Sequence, residues 1–249
     1  MKKYLQGMLL PLLLLLSWHM ITRMQLFSPY LLPSPETVWD ALQELAVSGE
    51  LAKHLSISLR RVFLGFLLAA ATAIPLGIFC GRSRYFYTYC WFLLEFLRHV
   101  PPLAAIPLII LWAGIDEASK LTIIFLASFF PLFLNTCSGI RSCDAKLLEV
   151  GQSLGFSKGQ LIRHIQLPAA LESIVTGLQL SLGYSWRALI GAELIAASAG
   201  IGYLILDAEE MSRPDIVLAG MLCIGVIGSI LDWAFLKILQ KLVPWYQKK

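Results

Sequence analysis

Six apolar runs dominate the chain, at 4–22, 55–80, 86–113, 119–140, 169–198 and 216–239. A helix needs about 20 mostly apolar residues to cross the hydrocarbon layer of a membrane. Inside lipid the backbone amides must find partners within the segment, so runs of this length fold as helices. Charged residues make up 14% of the chain, where soluble domains carry roughly 25%. The pattern predicts an all-α membrane protein with six transmembrane helices in one domain, 1–249. The third run contains Pro101, Pro102 and Pro107. Proline removes a helix donor and clashes with the preceding turn. A broken helix survives at membrane depth only where protein or a watery cavity satisfies the freed groups.

Lys2 and Lys3 before an apolar run resemble a secretory leader, but no small-x-small cleavage site follows. The run is read as a retained first span. The basic residues set the orientation. Lys2 and Lys3, then Arg82 and Arg84, then Arg141, Lys146, Lys158 and Arg163, then Lys237, Lys241, Lys248 and Lys249 all fall on one side of six spans. That side is expected to be cytoplasmic, with both termini on it. The opposite loops hold mostly acids, among them Glu36, Asp40, Asp116, Glu117, Asp207 and Asp215. Ser34-Pro35-Glu36 is a helix start, with a capping serine and a proline at the first helical position. The helix it opens lies along the membrane surface or serves as a packed connector.

The polar interval from Asp144 to Pro168 falls on the basic side. Asp144 can cap a first short helix, and Leu147, Leu148, Val150 and Leu154 give it an apolar stripe. Gly155 ends it, because glycine enters the left-handed region without steric cost. Ser157 offers a second cap, with Gln160 in capping-box position. Pro168 closes the unit. In the spans, small residues recur every fourth position, as at Gly65, Ala69, Ala73, Gly77 and Gly81, and let another helix approach closely.

An ionisable residue within a span is costly and is a functional candidate by default. Glu95 and Arg98 are three apart and can pair on one helix face. His99 reads as a packed, hydrogen-bonded side chain, and Asp232, near Lys237, as structural. Arg187 has no acid one turn before it, and Glu193 lies more than a turn beyond. Arg98, Arg187 and Glu193 are therefore the candidates for a solute path. Five cysteines show no C-x-x-C pairing, no metal-binding cluster of histidines is visible, and there is no phosphate-binding G-x-x-x-x-G-K-[ST] loop. The formal charge of +4 gives no sign of a nucleic-acid partner. No nucleophile has a readable partner, so an enzyme is not expected.

The run Glu149, Val150, Gly151, Gly155, Ile165, Leu167, Pro168 resembles the EAA loop of membrane subunits of bacterial ABC importers. Val150 and Gly151 stand where that pattern has two alanines. Further stretches are similar to the nitrate, sulfonate and taurine subfamily: LPSPETVW at 32–39, SLRRVFLGF at 58–66, LRHVPPLAAIPLIILWAGIDEASK at 97–120, FFPLFLNTCSGIR at 129–141 and GAELIAASAGIGYLILDA at 191–208. Ala113 and Asp116 depart from it, where the subfamily usually shows phenylalanine and glycine.

The resemblance implies a type I ABC importer permease fold with a cytoplasmic coupling-helix loop at 142–168, in the bacterial inner membrane. It implies a second permease copy, two cytoplasmic ATPase subunits that bind ATP and magnesium, and an extracytoplasmic binding protein; this chain itself binds no cofactor. Glu149 would pair with a basic residue of the ATPase, and Gly151 and Gly155 would shape the loop. Phe156, Ser157, Lys158 and Gln160 would insert into the ATPase groove. Ile165, Leu167 and Pro168 would fix the exit into the fifth span. The implied solute is a small anion such as an aliphatic sulfonate, taurine or nitrate. Thiamine-precursor pyrimidine or bicarbonate is the alternative within the class. A carrier driven by an ion gradient would explain the spans but not the two-helix loop.

Overall fold

The structure is a computed structural model that describes residues 2–243, without the side chains of 2–8, 84 and 242. Lys248 and Lys249, counted in the orientation argument, lie outside the described residues. The elements are helical, with no strand among the described residues: α1 Lys2–Arg23, α2 Pro35–Val47, α3 Glu50–Arg82, α4 Arg84–His99, α5 Ile106–Ala113, α6 Glu117–Arg141, α7 Ala145–Ser153, α8 Lys158–Leu161, α9 Leu167–Ala196, α10 Ile201–Glu210 and α11 Pro214–Leu242. Glu50–Arg82, Glu117–Arg141 and Pro214–Lys241 are each long and apolar enough to cross a membrane, and two helix pairs pass the same test together. Leu9–Arg23, which overlaps the first run, is a shorter apolar helix.

The third run is broken where its prolines stand. Val100 is extended, as the residue before a proline is driven out of the helical region. A 3₁₀ turn over Pro102–Ala105 follows, and α5 restarts with Pro107 in its first turn, where a missing N–H leaves nothing unpaired. The two arms meet at 84°.

Contacts gather in two units. One comprises residues up to Ser58 with Ala197–Ile227, the other Leu59–Ala196 with Gly228 onward. In the first, Ser34 caps α2 through the Thr37 amide, and Val38, Ala41 and Leu45 form the buried face. Arg213 pairs with Glu44 at 3.0 Å and with Asp215 at 2.9 Å. The first amides of α10 donate to side chains of α3: Gly200 N–H to His54 Nδ1 and Ile201 N–H to Ser58 Oγ, each at 3.0 Å.

The second unit is built on α6. The small-residue stripe of α3 lies against it: a Cβ added at Gly65 would sit 2.5 Å from Ile124, and ones at Gly77 and Gly81 would sit 2.8 Å from Thr136 and Ile140. The packing role expected of the stripe is met. On its other flank α6 meets α9, where Ser181 Oγ donates to the Ser128 carbonyl at 2.7 Å and Ser185 Oγ to the Ser181 carbonyl at 2.8 Å. These two serine hydroxyls are thereby satisfied, as a low-dielectric interior requires.

Candidate functional site

The 144–168 interval folds by the local chemistry its sequence carries. Asp144 accepts from the Lys146 amide at 2.9 Å and starts α7. Gly155 has φ +77, the Phe156 amide returns to the Gly151 carbonyl at 3.0 Å, and the Gly155 amide to Gln152 at 2.9 Å. Those two bonds form a Schellman cap. Ser157 and Gln160 make the reciprocal capping box, with the Ser157 amide donating to Gln160 Oε1 at 2.8 Å. Gly151 is buried, and a Cβ there would come within 2.5 Å of Ile165 Cδ1 and 2.6 Å of Leu161 Cδ2. Its missing side chain lets α7 fold back on the turn that leads into α9.

Pro168 does not end this unit as the sequence suggests. The chain runs from Lys158 into α9 through a π turn at Ile162–Gln166. Leu167 N–H reaches back five residues to the Ile162 carbonyl. Pro168 has no N–H for the His164 carbonyl, so the wider turn accommodates a residue that a regular helix would exclude. The finished segment leaves Glu149, Lys158, Leu147, Val150 and Leu154 exposed, the last three at 51%, 58% and 69%. Phe156 is half-buried, its ring centroid 5.8 Å from that of His164. Burial and the neighbouring Asp144 push the Cys143 thiol up, which leaves it a weak nucleophile.

A cavity of about 720 Å³ opens at the break of the third run. Its walls come from the chain after α4 (Pro101, Pro102, Leu103), from α6 (Leu126, Phe130, Pro131, Asn135) and from α9 (Leu180, Tyr184). Arg98 and Arg187 both line it. Arg98 pairs with Glu95, as the three-residue spacing predicts. Arg187 is exposed and makes no ion pair or hydrogen bond among the described residues. His99 Nδ1 is bonded to the Glu95 carbonyl at 2.6 Å, and Asp232 accepts from Gln179 at 3.3 Å.

Glu193 is not among the residues that line the cavity. It is 0% exposed, and Arg61 Nη1 donates to it at 2.7 Å. Arg61 also grips Glu117, with Nε at 2.8 Å from Oε2. Lys120 Nζ lies 3.1 Å from the Ile115 carbonyl and 3.6 Å from Glu117. The sequence reading passed over Arg61, although it lies within the 55–80 run and the rule that singled out Arg187 applies to it equally. Among the described residues no three His, Cys, Asp or Glu gather to hold a metal.

The described residues thus give helices with a broken span, a cavity lined by two arginines and an exposed two-helix segment. Residues 73–243 match the family described as binding-protein-dependent transport system inner membrane component, and the chain belongs to that family. A Bacillus subtilis (strain 168) chain that carries the name of an aliphatic sulfonates transport permease, SsuC, is 43% identical over 97% of this chain and 88% of its own. The taurine transport system permease TauC of Escherichia coli (strain K12) is 37% identical over 94% and 86%. The nitrate import permease NrtB of a Synechocystis strain is 34% identical over 88% and 82%. The fold is shared with the inward-facing methionine ABC transporter MetNI, at a TM-score of 0.63 and 12% identity over 84% of this chain and 95% of that one. The chain is a permease subunit of an ABC importer, with the type I permease fold.

Proposed function

We propose that this chain, acting as one permease domain, forms the membrane path for a small organic or inorganic anion of the sulfonate, taurine or nitrate kind, in an importer driven by ATP. The observation that carries the reading is the cavity shared by Arg98 and Arg187. Its volume is in the range of small-ligand sites, and its walls are mostly apolar. A guanidinium matches a sulfonate or nitrate oxygen pair with parallel donors. Arg98 is partly neutralised by Glu95, so Arg187 supplies most of the attraction. The names of the relatives agree with this solute class.

Two copies of the permease line the path, and two cytoplasmic ATPase subunits, which hold ATP and magnesium, grip the exposed α7–α8 segments. An extracytoplasmic binding protein delivers the solute to the opposite face, and both termini are cytoplasmic. Glu149 pairs with a basic ATPase residue, while Leu147, Val150 and Leu154 supply the apolar contact. ATP binding draws the two ATPases together, carries the coupling segments with them and opens the path outward. Hydrolysis reverses the motion. The energy enters as a difference in contacts between two states of a bistable assembly.

The test is uptake by vesicles reconstituted with this chain, its ATPase and its binding protein, with taurine, alkanesulfonates, nitrate, bicarbonate and thiamine-precursor pyrimidine in competition. ATP-dependent uptake inhibited by one anion is expected. Uptake inhibited only by the pyrimidine would displace the anion reading. Uptake that persists without ATP or the ATPase would overturn the importer mechanism.

A further inference from the structure

Within the first unit a second cavity, of about 500 Å³, opens between α1, α2 and α11. Leu15 and Trp18 of α1 line it, and so do Ala219 and Leu222 of α11. Trp18 and Leu15 stand five and eight residues before the end of α1 at Arg23. Ala219 and Leu222 stand five and eight residues after the start of α11 at Pro214. At 1.5 Å per residue this wall lies about 8–12 Å in from the ends of two apolar helices. The wall is open: Leu15 and Leu222 are each 51% exposed.

The α2 side of the cavity carries groups of another kind, Glu36, Trp39 and Asp40. Trp39 is exposed. Trp18 Nε1 donates to the Pro33 carbonyl at 3.1 Å, so that indole has only ring surface left to offer. Glu36 lies 3.0 Å from His19 Nδ1. Its own backbone amide and Ser34, with the charges of His19 and Arg23, hold its carboxyl below the usual range. The Asp40 side chain is exposed and makes no ion pair or hydrogen bond among the described residues, and the same is true of Arg23. The cavity thus has an apolar wall at depth and a mouth with carboxylates, an indole ring and a nearby guanidinium.

We infer that this cavity holds a phospholipid with a primary ammonium headgroup, drawn from the leaflet at this end of α1 and α11. An acyl chain covers Leu15, Ala219 and Leu222, which are otherwise left to an unfilled apolar hollow. The ammonium donates to the Asp40 carboxylate, a charge-assisted hydrogen bond. The Trp39 ring adds the attraction of an indole face for a cation. Arg23 meets the phosphate, so each charge of the headgroup finds its opposite. A lipid with only a negative head has nothing to give Asp40 and is repelled by it and by Glu36. A quaternary ammonium has no N–H to donate. The inference needs the chain to lie in a membrane and is independent of the solute it carries.

Native mass spectrometry of the delipidated full chain, titrated separately with phosphatidylethanolamine, phosphatidylglycerol and phosphatidylcholine, tests this. Phosphatidylethanolamine is expected to give a saturable single adduct at the lowest concentration. Asp40→Asn should weaken that adduct about two- to fivefold, the range for one exposed charge pair, and should not weaken the phosphatidylglycerol adduct. Arg23→Gln should weaken the adducts of all three lipids. Both residues are exposed, so the lipid-free variants should unfold at the wild-type midpoint. Phosphatidylglycerol bound as tightly as phosphatidylethanolamine, the absence of any saturable adduct, or an unchanged preference in Asp40→Asn would overturn the inference. Phosphatidylcholine bound as tightly would overturn it too, because the site would then read lipid without reading the ammonium donors.

Discussion

Glu193 and Asp232 are both acids within apolar runs, and their surroundings give them different weight. Glu193 is fully buried and held by Arg61 at 2.7 Å. Glu193→Ala would take from the buried Arg61 guanidinium one of its two carboxylates and leave it Glu117, at a cost of about 1.5–3 kcal/mol for a lost charged hydrogen bond. Asp232 is exposed and makes one long bond to Gln179, so Asp232→Asn should change stability by less than about 0.5 kcal/mol. Thermal unfolding of the two purified variants in one detergent measures the difference, and equal midpoints would refute it. The distinction was only partly legible in the sequence. Glu95 and Arg98 are three residues apart, so their pairing follows from helix geometry. Arg61 and Glu193 are 132 residues apart, and no local rule joins them; the cost of a charge in a span marks Glu193 as needing a partner, and only the same rule applied to Arg61 would have supplied one.

The elements were legible where local chemistry decides them. Apolar length located the long helices α3, α6, α9 and α11, the prolines located the break after α4, and Asp144, Gly155 and Ser157 located the turns of the 144–168 segment. The π turn at Ile162–Gln166 was not legible, because Pro168 carries the same sequence signature whether it ends a helix or widens one. What decides is the packing of Ile165 and Leu161 over Gly151, which holds the chain helical through the proline. Pro168→Ala would return an N–H to the His164 carbonyl and remove the ring that keeps the turn open. The 162–168 stretch should then close to regular α register, with a local gain of at most about 3 kcal/mol. Amide hydrogen exchange should show greater protection over these residues in the variant. Unchanged protection would mean that packing alone sets the turn.

For the whole molecule, the 144–168 segment and the arginine-lined cavity stand at separate places in the chain, and the proposed mechanism needs both. Damage to each should therefore separate the functions. Gly155 holds φ +77 with open space around it. A side chain there is strained, by about 1 kcal/mol for the left-handed backbone, and Gly155→Asp adds a charge to the surface offered to the ATPase. That variant should reach the membrane folded but lose co-purifying ATPase and all ATP-dependent uptake. Arg187→Gln alters one wall of the cavity and leaves the docking segment untouched. It should retain the ATPase and hydrolyse ATP, while anion uptake falls about tenfold, as expected when one charge-assisted contact of roughly 1.5 kcal/mol is lost. Size-exclusion co-elution, ATP turnover and labelled-anion uptake on the same two preparations decide the matter. Normal ATPase co-elution with Gly155→Asp would show that docking does not depend on this turn. Undiminished anion uptake by Arg187→Gln would make Arg187 a structural side chain and leave Arg98 as the cationic contact of the path.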